Sequence, residues 1–101
     1  MLVDEYSDAN RYKELTNMKL FCKRDLMRFM SVKASVKMLN TLGAAGVDYI
    51  GKYSKVDGIL IYHRYFPLEL AEEHFKRVSK SWNPRFRKIA IDYLEILEKL
   101  K

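Results

Sequence analysis

Cysteine is almost missing from this chain. Of its 101 residues only Cys22 carries a thiol, so no internal disulfide can form and nothing calls for an oxidising compartment. Long apolar runs are missing too: none approaches the roughly 20 residues that a membrane-crossing helix needs. The opening Met1-Leu2-Val3-Asp4-Glu5 is acidic, where a signal peptide would be basic and then apolar. The expectation is a cytoplasmic protein with no membrane partner. Glycine is scarce, and the four present form no phosphate cradle. Gly-x-x-x-x-Gly-Lys-Ser/Thr, Gly-x-Gly-x-x-Gly, His-Glu-x-x-His, Gly-x-Ser-x-Gly and calcium-loop patterns are all absent from the sequence. The two histidines, His63 and His74, are joined by no Cys-x-x-Cys or carboxylate pair. We therefore assign no catalytic residue, metal ligand or cofactor, and expect a protein that is not an enzyme.

Acid is also in deficit. Lys and Arg number 19 against 13 Asp and Glu, a net charge of +6. Two segments hold the excess. Residues 19–37 carry Lys19, Lys23, Arg24, Arg28, Lys33 and Lys37 against the single acid Asp25. Residues 76–88 carry Lys76, Arg77, Lys80, Arg85, Arg87 and Lys88 with no acid. Clusters of one sign suit a polyanion, because each paired phosphate releases counterions; they equally suit a solvated basic face.

What is present is globular: nearly half the residues are hydrophobic, and the length fits one domain, 1–101. Residues 1–18 read as a packing arm, with Ser7 or Asp8 capping a short helix through Tyr12, Leu15 and Met18. A helix follows over 22–30, with Leu26, Met27, Phe29 and Met30 apolar and Asp25 in its first turn. Cys22 stands where a capping hydroxyl is preferred. A second helix runs over 34–42. There Val36, Leu39 and Leu42 would face the first helix, leaving Ser35, Lys37, Met38, Asn40 and Thr41 elsewhere, before Gly43 and Gly46 end it. Lys, Ser and Asn on a short helix can donate to guanine or pair with adenine, although the same face also suits an ordinary amphipathic core helix.

Over 47–66 the period changes to two. β-branched and aromatic residues flank Asp57-Gly58, a hairpin signal. Ile59, Ile61, His63 and Tyr65 would point one way, and Leu60, Tyr62, Arg64 and Phe66 the other. The tip carries Lys52, Tyr53, Ser54 and Lys55, a composition able to follow a phosphate backbone or enter a minor groove. Pro67 reads as the first residue of another helix with Leu68, Leu70, Ala71, Phe75 and Val78 on its apolar side. After a break at Ser79-Lys80-Ser81-Trp82, Asn83-Pro84 starts a last helix whose apolar positions are 86, 89, 90, 93, 94, 97 and 100. That helix is either a lid on the core or a homodimer contact. Arg85, Arg87 and Lys88 beside Trp82 and Phe86 form a candidate phosphate-contacting knuckle.

In this order the elements resemble the winged helix-turn-helix domains of the excisionase and MerR-like family. Cys22-Lys23-Arg24-Asp25-Leu26 matches the family's capped opening helix, and Met30-Ser31-Val32 its turn. Ser35-Val36-Lys37-Met38-Leu39 matches the recognition helix, and Phe66-Pro67-Leu68-Glu69-Leu70 with Phe75 the closing helix. The match covers about 55 residues. Ser31 replaces the family's glycine, the turn is one residue short and the hairpin is longer. The resemblance implies an α+β fold: helix-turn-helix, β-hairpin wing and closing helix over about 19–78, with an extra C-terminal helix over about 83–100. It implies a sequence-preferring binder of double-stranded DNA, a transcription regulator or an excision factor of phage or mobile-element type. Lys33, Ser35, Lys37 and Asn40 would contact DNA from the helix. Lys23, Arg24, Lys52, Tyr53 and Lys55 would hold phosphates, and Arg85, Arg87 and Lys88 would either extend the footprint or bind something else. The alternative is a winged-helix interaction module that binds a replication or recombination protein through the aromatics Tyr49, Tyr53, Tyr62, Tyr65 and Trp82.

Overall fold

Local capping chemistry sets the helix boundaries in the computed structural model, which describes residues 2–3 and 9–101, with side chains from residue 10 onward. The helix expected over 22–30 is short: α2 is Lys23–Leu26, followed by turns through Met30. Its start is held by the Asp25 carboxylate, which accepts the Cys22 N–H at 2.9 Å. The next helix, α3, is Val32–Ala44 and starts earlier than the expected Ala34. Ser31 is the reason: its Oγ accepts the Ala34 N–H at 3.1 Å. Gly43 lies inside α3 and does not end it. Termination falls to Gly46 at φ 80°. Its N–H reaches the Gly43 carbonyl and the Val47 N–H reaches the Leu42 carbonyl, both at 3.1 Å, which is a Schellman ending.

The hairpin forms where the Asp-Gly pair places it. Strands β3 (Tyr49–Val56) and β4 (Ile59–Pro67) pair antiparallel from Val56↔Ile59 to Ile50↔Tyr65. Asp57 and Gly58 have φ of 51° and 81°, the two positive values a type I′ turn requires. Two very short strands flank the hairpin. β1 (Leu2–Val3) runs parallel to β3, and β2 (Leu20–Phe21) antiparallel to β4, giving the order β1-β3-β4-β2. Pro67, expected to be the first helical residue, is instead the last residue of β4 and the cap of α4 (Leu68–Val78), with an extended ψ of 125°.

Side-chain alternation splits the interior in two. On one face of the hairpin, Phe66 joins Leu39 and Leu42 of α3 and Leu68, Ala71 and Phe75 of α4 in the main core. On the other face, Ile50 packs with Leu15 of α1 (Ala9–Thr16), and Tyr65 and Leu70 lean on that pair. The N-terminal segment therefore does pack over the sheet from residue 9 on; the expected caps Ser7 and Asp8 lie outside the described residues. Arg11 Nε donates to Asp48 Oδ2 at 2.7 Å and ties α1 to the approach of β3. The last helix, α5 (Pro84–Lys99), begins as expected at Asn83, whose Oδ1 accepts the Arg85 N–H at 3.0 Å. It covers the main core through Ala90, Tyr93 and Leu97, with the Tyr93 ring edge-on to Phe75 at 5.0 Å. Each large side chain buried there stabilises the fold by about 1.5–3 kcal/mol relative to exposure. Phe86 departs from the expected apolar stripe and is 53% exposed. The architecture is α+β, and no helix among the described residues is long and apolar enough to cross a membrane.

Candidate nucleic-acid interface

The buried arc of α3 decides which of its side chains remain outside. Ser35, Met38, Leu39 and Leu42 are all buried. Their spacing of three and four residues turns Lys33, Lys37, Asn40 and Thr41 to the opposite, exposed side. Three of the four α3 positions expected to reach a partner are thus displayed together. Ser35 is not. It is fully buried and its Oγ donates to the Ser31 carbonyl at 2.8 Å, so it supports the helix from inside. Met38, expected to face away from the first helix, is buried as well. Thr41 is exposed, but its Oγ1 is engaged with the Lys37 carbonyl at 2.8 Å.

A second group of expected residues meets where α2 approaches the hairpin. A cleft of about 530 Å³ is lined by Lys23 and Arg24 from α2 and by Lys52, Tyr53, Ser54 and His63 from the hairpin. All four cations and rings named for this region, Lys23, Arg24, Lys52 and Tyr53, are solvent-exposed. Lys52 Nζ sits 6.0 Å from the Tyr65 ring centroid, which steadies a cation that otherwise has many rotamers. Tyr53 is 70% exposed and leans on Tyr62 at 4.9 Å between centroids. Burial, followed by the neighbouring Tyr49 hydroxyl, pushes Tyr62 up to about 12. Lys55 is exposed opposite Leu60, nearer the turn, and does not line the cleft.

His63 is an addition that residue type alone did not single out, and Ser54, expected at the hairpin tip, is its partner. Their Oγ and Nε2 atoms are 2.7 Å apart across the strands. A two-residue Asp57-Gly58 turn places Lys52 opposite His63, and so carried the signal that would have found them. Among the described residues, no group of three or more His, Cys, Asp or Glu side chains could hold a metal ion.

The remaining expected positions lie elsewhere. Arg85, Arg87 and Lys88 are exposed in the first turns of α5, an element that does not line the cleft. Of the aromatics expected to form a protein-binding surface, Tyr49 packs on Phe66 at 4.7 Å and Tyr65 belongs to the second core. Only Tyr53, Tyr62 and Trp82 stay exposed.

No protein-family model, curated protein or solved structure matches this chain. Its functional reading rests on its own residues.

Proposed function

We propose that this chain binds double-stranded DNA as a winged helix-turn-helix protein, with α2 and α3 as the helix pair, β3–β4 as the wing and α4 as the closing helix. The observation that carries the reading is the display of Lys33, Lys37 and Asn40 on the exposed side of α3, in a chain whose α2 and hairpin bring Lys23, Arg24 and Lys52 to one cleft. Lys37 would donate to guanine O6 or N7 and Asn40 would pair with adenine in the major groove. Lys23, Arg24, Lys52 and Lys55 would anchor phosphates and set the register. The role is binding without a catalytic step, in a regulator or an excision factor of phage or mobile-element type. An electrophoretic shift with random and selected duplexes across a salt series tests it. Affinity should fall steeply with salt; a flat response overturns the proposal.

One observation favours a second reading, an interaction module for a replication or recombination protein. The hairpin ends in apolar side chains, with Ile59 67% and Leu60 65% exposed, where a phosphate-binding tip would be polar. Replacing both with Ser should leave duplex affinity intact and abolish capture of one stoichiometric protein if this reading holds.

A further inference from the structure

The chain's one tryptophan is 88% exposed, more than any other large apolar side chain described. It stands in the α4–α5 connection, and that connection is ordered. Ser81 Oγ accepts the Asn83 N–H at 3.2 Å, and the Ser81 carbonyl accepts Arg87 Nη1 at 3.2 Å. Asn83 caps the helix that Pro84 begins. The backbone on both sides of Trp82 is therefore held while its indole remains in water. Phe86 is half exposed one turn into the same helix. Lys80, Arg85, Arg87 and Lys88 of the same segment are all exposed, and no acid occurs between Lys76 and Lys88.

Several occupants fit this chemistry badly. A second copy of the same patch would bring like charges together. A lipid surface would need a helix with a free apolar face, but α5 spends Ala90, Tyr93 and Leu97 on the core. Its next exposed positions are the apolar Ile91 and then the acids Asp92, Glu95 and Glu98, which an anionic surface would repel. Duplex DNA offers phosphates but keeps its base faces stacked, leaving the rings nothing to stack on. Unstacked bases offer both, a π-face for each ring and a phosphate for each cation. Ribose and deoxyribose strands share these two features, so what the patch recognises is the unstacked base together with its phosphate.

We infer that the 80–88 knuckle is a platform for single-stranded nucleic acid, with bases stacking on Trp82 and Phe86 and phosphates paired to Lys80, Arg85, Arg87 and Lys88. This surface is separate from α3 and the hairpin cleft, and the inference does not require the winged-helix reading.

Because Trp82 is the only indole, emission excited at wavelengths that the seven tyrosines do not absorb reports this site alone. Titration with a dT oligomer of about 15 nucleotides should quench that emission, as aromatic–base stacking does. Anisotropy of a labelled oligomer should show W82A weakening binding by about fivefold or more, with W82F retaining most of the affinity. R85E/K88E should also weaken it and lower its salt dependence. Circular dichroism of each variant should match the parent, since these side chains are exposed. Absence of quenching by the dT oligomer, or unchanged affinity in W82A, overturns the inference. Equal quenching by blunt duplex rejects the single-strand assignment. A uridine oligomer bound at least tenfold more tightly than dT assigns the platform to RNA, and the reverse order assigns it to DNA. A blue shift with phosphatidylglycerol vesicles, without a response to dT, assigns the patch to lipid instead.

Discussion

The Ser35 hydroxyl donates to the Ser31 carbonyl at 2.8 Å while the Ser31 hydroxyl accepts the Ala34 N–H at 3.1 Å. These two bonds interlock the first turn of α3. They account for a polar side chain at full burial, because Ser35 satisfies itself within its own helix and needs nothing from the core. They also separate the residues that build α3 from those it displays.

Ser35→Ala should therefore affect stability without affecting binding. Its loss should cost about 1 kcal/mol, the usual worth of a satisfied hydrogen bond, read as a lower urea midpoint. Ser31→Ala should cost a similar amount, about 0.5–2 kcal/mol, through the lost cap. Duplex affinity of Ser35→Ala measured well below the unfolding range should stay within about twofold of the parent, since each tenfold change needs about 1.4 kcal/mol at the interface.

The exposed side of α3 should behave in the opposite way. Lys37→Glu should abolish measurable duplex binding while leaving the urea midpoint nearly unchanged. Lys33→Ala should lower the slope of log K against log salt by about one, if Lys33 holds a phosphate. Asn40→Ala should instead relax base preference at one position, by about 1–3 kcal/mol in a selection experiment, with the salt slope preserved. Equal effects of all three substitutions on every duplex would remove α3 from the interface.

How far such features could be read in advance depends on the range of the interaction behind them. Asp57-Gly58 is local: a two-residue turn with positive φ fixes the hairpin pairing from Val56↔Ile59 inward. Asn83-Pro84 is local in the same way. Ser35 was misplaced because Val36, Leu39 and Leu42 suggest a stripe with a repeat of three, whereas the buried arc runs through Ser35, Met38, Leu39 and Leu42. A small polar residue gives no apolar signal, so periodicity cannot place it. Leu2–Val3 and Leu20–Phe21 are too short to show alternation, and their pairing depends on the hairpin they join. Phe86 fits the helical stripe in spacing, yet the fully buried residues of α5 begin only at Ala90. The α3 display was thus mostly legible, while the meeting of α2 with the hairpin was tertiary and was not.

Two glycines of α3 and its ending should respond to alanine with opposite signs. Gly43 is helical, and a Cβ there would meet Arg64 Nη1 at 3.9 Å, an ordinary contact with the end of a flexible side chain. Gly43→Ala should stabilise by about 0.5–1 kcal/mol through backbone entropy, raising Tm by a few degrees. Gly46 has open space around it but a φ of 80°. Gly46→Ala should destabilise by about 1 kcal/mol, because the left-handed ending disfavours a Cβ. A thermal melt of the two variants side by side checks the contrast, and equal shifts would contradict the Schellman ending.

His74 gives the fold a pH dependence whose direction can be stated. Burial first, and then the Arg77 charge, lower its pKa below the ordinary 6.5. The folded state therefore prefers the neutral ring more than the unfolded chain does. That preference contributes stability fully above about pH 6.5, and it is lost as pH falls toward and through the lowered value. Urea midpoints measured at pH 7.5 and 5.5 should fall for the parent chain. In His74→Gln, which keeps a polar side chain without a titrating ring, the fall over that interval should be smaller. Arg77→Gln should recover only part of it, because burial is the larger cause. A parent chain and His74→Gln variant that lose stability equally would place the acid sensitivity on other groups.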